Sequence, residues 1–314
     1  MEYTSVVRIA ILGAGGVGGF YGGTLARSGH AVVLLARGPH LDALKARGLE
    51  VRTPDETFTV AVQAADDPNA LGVCDVAIVA VKTYSLAAIA PAARLLAEGG
   101  AAILPFLNGV EAADRLVESG VPANQVLGGL TQVSVLKVGP GVVERKSSFQ
   151  KVAIGERRGK PSERVRRIVE AFQGAGAEAR VSDDISADLW RKFAFIASMA
   201  AACGLARAPI GPVREAPLGK LLLERAVREV LAVALARGIR LADDEGQKIL
   251  AFMDGLGGGM KPSFLLDVES GGPTEIQDLS GAVSRLGREA GVETSVHDTA
   301  TAALSATTGR NAKV

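Results

Sequence analysis

Cysteine is nearly absent from this 314-residue chain: Cys74 and Cys203 stand alone, with no CxxC pair. Two isolated thiols build no disulfide framework and, without a His/Cys cluster, no structural zinc site. Aromatic residues make up 4% of the sequence, which leaves few base-stacking platforms for nucleic acid. An excess of charge of either sign is also missing. Lys and Arg total 35 against 34 Asp and Glu, and no long basic block occurs, so nucleic acid is not an expected partner. The most apolar stretch, Phe193 to Leu205, is too short for a bilayer span and reads as a buried helix, so no membrane partner is expected. The opening Met-Glu-Tyr-Thr-Ser lacks a basic n-region and a cleavage site, which makes the cytoplasm the expected compartment.

Glycine, by contrast, is plentiful and ordered. An apolar run, Val6-Val7-Arg8-Ile9-Ala10-Ile11-Leu12, leads into Gly13-Ala14-Gly15-Gly16-Val17-Gly18, and a second run, Val32 to Ala36, ends in Arg37. A GxGxxG placed between a strand and a helix is the fingerprint of a dinucleotide-binding unit. Gly13 permits the tight turn, Gly15 lets the backbone approach a pyrophosphate, and Gly18 lets the helix sit close to the sheet. Gly16 and Val17 open the helix whose N-terminal N–H groups would face the diphosphate. The strand after that helix usually ends in an acid that holds a ribose 2′-hydroxyl. Here the position is Arg37, whose planar, permanently charged fork suits a 2′-phosphate, so NADP(H) is expected as cofactor.

The rest of the chain falls into two textures. A helix is expected around Leu41–Arg47 and a small hairpin at Leu49–Arg52 and Phe58–Val62. Strands are expected at Val76–Val81, Ala101–Leu104, Val126–Leu130, Gln132–Leu136, Val152–Gly155 and Ala177–Val181, with helices running to Leu96 and over Ser162–Ala175. Alternating pieces of this size imply a parallel sheet wound on both faces. From Leu189 onward only helical spacing survives. Leu221, Leu222, Ala226, Val230 and Val233 are expected on one helix face, and Ile276, Leu279, Val283 and Leu286 on another. Asp254–Gly259 reads as a loop, and the tail from Thr307 as frayed. The expected architecture is α/β: a Rossmann-type, doubly wound nucleotide domain over residues 1–182, then an all-helical domain over 183–314. The oligomeric state is left open, with a homodimer admissible.

Ligands in such sheets bind beyond the carboxyl ends of the strands. Lys82, after the Val76–Val81 strand, and Asn108, after Ala101–Leu104, occupy such positions and should face the cofactor. A reductase also needs an acid for the developing alkoxide. Only His30, His40 and His297 are present, and none is well placed; nor does any tyrosine have a lysine four residues on. Lys192 is the better candidate, because it opens an otherwise apolar helix, Phe193 to Ala200, where desolvation makes an ammonium a readier donor. Glu275, at the head of the Ile276–Leu286 pattern, can bind a substrate hydroxyl or orient the lysine; its alternative role is that of a first-turn acid on the helix dipole.

These pieces together resemble the ketopantoate reductase (2-dehydropantoate 2-reductase) family over nearly the whole chain. The resemblance is carried by Gly13–Gly18 with Gly19-Phe20-Tyr21-Gly22, by Val81-Lys82-Thr83, by Asn108-Gly109-Val110-Glu111 and by Trp190-Arg191-Lys192. It continues through Pro262-Ser263-Phe264-Leu265-Leu266-Asp267 to Pro273-Thr274-Glu275-Ile276. It implies NADPH-dependent reduction of a 2-keto acid and a second domain like the C-terminal domain of 6-phosphogluconate dehydrogenase. It also implies Lys192 as general acid, Glu275 and Ser263 as substrate holders, and Lys82, Asn108 and Glu275 at the cofactor–substrate junction. In one respect the chain departs from the family pattern. Asparagines four and eight residues after the lysine are replaced by Ile196 and Ala200, which turns a polar wall apolar and suits a less hydroxylated or bulkier keto acid. The alternatives are a β-hydroxyacid-dehydrogenase-like paralogue and a non-catalytic NADPH sensor.

Overall fold

The computed structural model describes residues 6–308 and divides into two compact units. One unit runs through Leu107 and resumes at Glu111–Ile185; the other comprises Asn108–Val110 and the chain from Ser186 onward. No contiguous division of the sequence represents the detour at Asn108–Val110, which lifts three residues out of the first unit.

The first unit is built on strand β1 (Arg8–Leu12), helix α1 (Gly16–Arg27) and strand β2 (Ala31–Leu35). Then come α2 (Gly38–Arg47), β3 (Leu49–Arg52), β4 (Thr57–Val60), β5 (Gln63–Ala65), β6 (Val76–Val79), α3 (Leu86–Glu98), β7 (Ala102–Pro105) and α4 (Ala112–Glu118). The unit closes with β8 (Leu127–Gln132), β9 (Val135–Gly139), β10 (Val142–Arg145), β11 (Lys151–Glu156), α5 (Glu163–Gly174) and β12 (Glu178–Val181). A parallel sheet of order β5-β2-β1-β6-β7 forms the centre. Strands β6 and β7 are buried at every position, as a parallel sheet covered on both faces requires.

The parallel arrangement does not run through the whole unit. One bridge, Ile103 to Val126, leads from the central sheet to β8, which pairs antiparallel with β11, and β12 then adds in parallel. A separate sheet of order β4-β3-β10-β9 contains the expected hairpin, paired to strands some ninety residues further on. The two strands expected at 126–130 and 132–136 are in fact one strand ending at Gln132 and a second beginning at Val135. Strand β10 has no counterpart among the expected strands, and α2 starts at Gly38, not Leu41.

The second unit is all helical: α6 (Ile185–Ala206), α7 (Ile210–Glu215), α8 (Gly219–Ala236), α9 (Glu245–Asp254), α10 (Ser263–Glu269), α11 (Ser280–Ala290) and α12 (Ser295–Thr308). Helix α6 is long and apolar enough to cross a membrane by length and composition, but most of its surface is packed inside the protein. The buried face of α8 consists of Leu223, Ala226, Val227, Val230, Val233 and Ala234, while Leu221 and Leu222 sit half-buried at its edge. Ile276, Leu279, Val283 and Leu286 are all core residues. The Asp254–Gly259 loop is held: Arg214 donates to the carbonyls of Met253, Asp254 and Leu256 at 2.7, 2.6 and 3.0 Å. Of the tail expected to fray, Thr307 is still in the last turn of α12, and the part after Thr308 lies outside the described residues.

Candidate active site

At the head of α1 the glycines divide by what surrounds them. Gly13 has φ +109°, and a Cβ there would lie 2.6 Å from Val81 Cγ1. A Cβ on Gly18 would collide with the Gly13 carbonyl oxygen. Gly15, in contrast, is the N-cap of α1, has no side-chain cap, and faces open space where a Cβ would stand. The first turn of α1 carries no acid. The protein itself therefore demands glycine at 13 and 18, whereas the opening at Gly15, with free helix N–H groups beside it, fits a pyrophosphate. Gly16 and Val17 form the first turn. Gly16 lies under the Val135 carbonyl of β9, 2.6 Å from where its Cβ would be, a neighbour that no local reading of the motif reveals. Arg37 is the N-cap of α2, exposed, and its guanidinium has no ion pair or hydrogen bond among the described residues. An unpaired Arg beside the end of β2 fits a 2′-phosphate. Lys82 caps the short 3₁₀ turn Thr83–Ser85 just past β6 and is half-buried.

In the helical unit three of the expected residues meet. Lys192 Nζ donates to Asn108 Oδ1 at 3.2 Å, and Asn108 Nδ2 donates to Glu275 Oε2 at 3.3 Å. The amide thus turns its oxygen to the cation and its NH₂ to the carboxylate, which fixes its orientation. Asn108 is brought here by Gly109, whose φ of +90° only glycine adopts without strain, and whose Cβ position is 3.1 Å from the Asp278 carbonyl. Glu275 is 4% exposed.

Two local expectations need correction. Glu275 does not head a helix. It sits on a turn, with its carbonyl accepting from the N–H groups of Asp278 and Leu279, each at 3.0 Å, and α11 begins only at Ser280. The role of first-turn dipole partner therefore does not apply. Nor does Lys192 open its helix, because α6 begins two turns earlier at Ile185. Burial lowers the Lys192 ammonium from its usual range to about 8, with the Glu275 carboxylate opposing the fall. Neighbouring Arg191 is occupied by Asp188 at 2.7 Å and Glu245 at 2.9 Å. Ser263 is exposed at the first position of α10 and shares no hydrogen bond with the three, among the described residues.

The three histidines are engaged elsewhere. His30 Nδ1 accepts from the Val7 N–H at 3.2 Å, and His40 Nδ1 from the Gly141 N–H at 2.9 Å. His297 is buried between Ser280 Oγ at 3.2 Å and the Ala226 carbonyl at 3.1 Å, and burial pushes it down to about 4. Among the described residues no cluster of three or more His, Cys, Asp or Glu could hold a metal ion.

Comparison with known proteins gives a consistent result. The family described as "Ketopantoate reductase PanE/ApbA" matches residues 9–159, and "Ketopantoate reductase PanE/ApbA C terminal" matches residues 184–308. A 2-dehydropantoate 2-reductase of Halobacterium salinarum is 33% identical over 290 residues, covering 90% of this chain and 93% of its own. The Bacillus subtilis oxidoreductase YkpB is 31% identical over 277 residues, covering 88% and 90%. A crystal structure of a PanE/ApbA family ketopantoate reductase from Ralstonia eutropha superposes with a TM-score of 0.87 at 28% identity, covering 97% of this chain and 99% of that one.

Proposed function

Because the chain belongs to the ketopantoate reductase family, oxidoreductases acting on a CH–OH group, we propose that it reduces 2-dehydropantoate to pantoate with NADPH, a step of pantothenate biosynthesis. The observation that carries this reading is the Lys192–Asn108–Glu275 chain, an ammonium oriented by an amide and faced by a carboxylate.

In this reading the head of α1, from Gly13 through Gly15, Gly16, Val17 and Gly18, holds the pyrophosphate, and Arg37 holds the 2′-phosphate. NADPH, when bound, supplies the hydride for the carbonyl carbon. Lys192 gives a proton to the carbonyl oxygen as negative charge develops there. Its lowered pKa suits it to do so near neutral pH, because a donor matched to the working pH loses its proton at little cost. Asn108 fixes the direction of the ammonium. Glu275 keeps that ammonium from losing its proton too early, and accepts a hydrogen bond from the substrate hydroxyl. Ser263 is a second substrate contact. Lys82 is a further contact for the cofactor and the substrate.

The test follows NADPH oxidation by the purified protein with 2-dehydropantoate. Steady turnover that falls by about a hundredfold or more in Lys192→Ala, with NADPH affinity unchanged, is the expected result. Equal turnover in that variant would move the proton donor elsewhere.

A further inference from the structure

Between Trp190 and Gly204, α6 is closed to solvent except at four residues: Arg191, Lys192, Phe195 and Ile196. Two of the four carry charge, and Arg191 already spends its guanidinium on Asp188 and Glu245. What lies open next to the Lys192 ammonium on its own helix is therefore hydrocarbon. Phe195 and Ile196 stand three and four residues on, and so share the face of Lys192. The Phe195 ring is extended by Phe252 of α9, edge-on at 5.1 Å between centroids and 74° between planes. Phe252 is itself 56% exposed. Two contacts from α6, Arg191 to Glu245 and Phe195 to Phe252, set α9 beside this strip, so the exposed ring borders it.

Leaving Phe195 and Ile196 partly open on the Lys192 face, with Phe252 exposed beside Phe195, gains nothing in the empty state. Covering them with hydrocarbon is favourable. A keto acid whose carbonyl oxygen meets Lys192 has its remaining substituent to place, and one with no hydrogen-bonding groups leaves nothing unsatisfied against such a surface.

We propose that this protein also reduces 2-keto acids with bulky, purely apolar side chains, branched alkyl or aryl, which lie on Phe195, Ile196 and Phe252. The inference rests on the reading of Lys192 as the proton donor. Two electrons and a proton pass to the keto carbon as a hydride from the reduced nicotinamide. A second proton passes from Lys192 to the keto oxygen, giving the 2-hydroxy acid and oxidised cofactor, and Lys192 regains its proton from water.

A homologous series decides the matter: pyruvate, 2-oxobutanoate, 2-oxopentanoate, 2-oxohexanoate and phenylpyruvate, with 2-dehydropantoate alongside. The expected result is a kcat/KM that climbs about fourfold per added methylene, the value of burying one CH₂. The slope should flatten in Ile196→Asn and in Phe195→Ala, either variant serving if the other fails to fold. A merely structural role for these side chains would lower every substrate alike and leave the slope intact, and that outcome overturns the assignment. A flat or falling series in a protein that turns over 2-dehydropantoate overturns the apolar-substrate inference and leaves the reductase reading standing. No reduction of any member overturns both.

Discussion

Two influences set the titration of Lys192 in opposite directions. Burial removes water from the ammonium and lowers its pKa; the Glu275 carboxylate, reached across the Asn108 amide, stabilises the charge and raises it, and burial is the larger effect. Reduction requires the protonated lysine. The rate should therefore be level below a pH of about 8 and fall about tenfold for each unit above it. Glu275→Gln removes only the influence that raises the pKa, so the falling limb should move to lower pH. A pH profile of kcat/KM on both proteins checks the sign. A limb that stayed fixed in Glu275→Gln would mean that the carboxylate does not act on the lysine. Sequence alone named all three residues: Asn108 by its place after a strand, Lys192 by the apolar helix around it, and Glu275 by the apolar pattern it precedes. It did not reveal that an amide stands between the two charges, since Asn108 and Glu275 are 167 positions apart.

Among the elements, the junction after α9 shows how one side chain can fix a glycine-rich segment. The last carbonyls of a helix have no partners within it, and those of Met253 and Asp254 are taken by the Arg214 fork, which also reaches Leu256. The Gly211 N–H donates to the Gly258 carbonyl at 2.9 Å, so α7 pins the loop at a second place. Arg214→Ala should destabilise the protein by roughly 2–4 kcal/mol, because hydrogen bonds to a charged donor are worth more than neutral ones and the Asp254 and Leu256 carbonyls lose the Arg214 fork. Denaturant unfolding measures that loss, and limited proteolysis should locate new cleavage between Gly255 and Gly259. A variant of wild-type stability with an uncut loop would show that Gly211 suffices. Composition made this segment look like an unrestrained loop, because the residue that holds it lies forty positions upstream. Where pattern and structure agree, the cause is local: β6 and β7 are continuous apolar runs, and α5 has its Ser162 cap and a strong apolar stripe. Where they part, a longer-range contact decided. The parallel pairing of β10 with β3 has no local signature. The 3–4 spacing of Ile276, Leu279, Val283 and Leu286 continues unbroken across a turn, because every one of those side chains reaches the same core.

On the scale of the molecule, each unit has a core of its own, and the features proposed for cofactor and for proton transfer fall in different units. The glycine turn and Arg37 belong to the first, whereas Lys192, Asn108 and Glu275 belong to the second. Two substitutions should therefore fail in different ways. Arg37→Ala removes a charge-assisted contact to a 2′-phosphate that NADH does not have. NADPH affinity should drop about 10- to 100-fold, in keeping with the strength of such bonds, while NADH affinity stays near its original value. Lys192→Ala should leave both affinities alone and reduce turnover. Because the two residues share no partner, their effects on kcat/KM for NADPH should multiply in the double variant, to within about 0.5 kcal/mol. Cofactor titrations and steady-state rates on the four proteins of this cycle supply every term. Equal losses of NADPH and NADH in Arg37→Ala would take the 2′-phosphate away from Arg37. A double variant no worse than Lys192→Ala alone would mean that cofactor seating and proton transfer are one coupled event, despite their residence in separate cores.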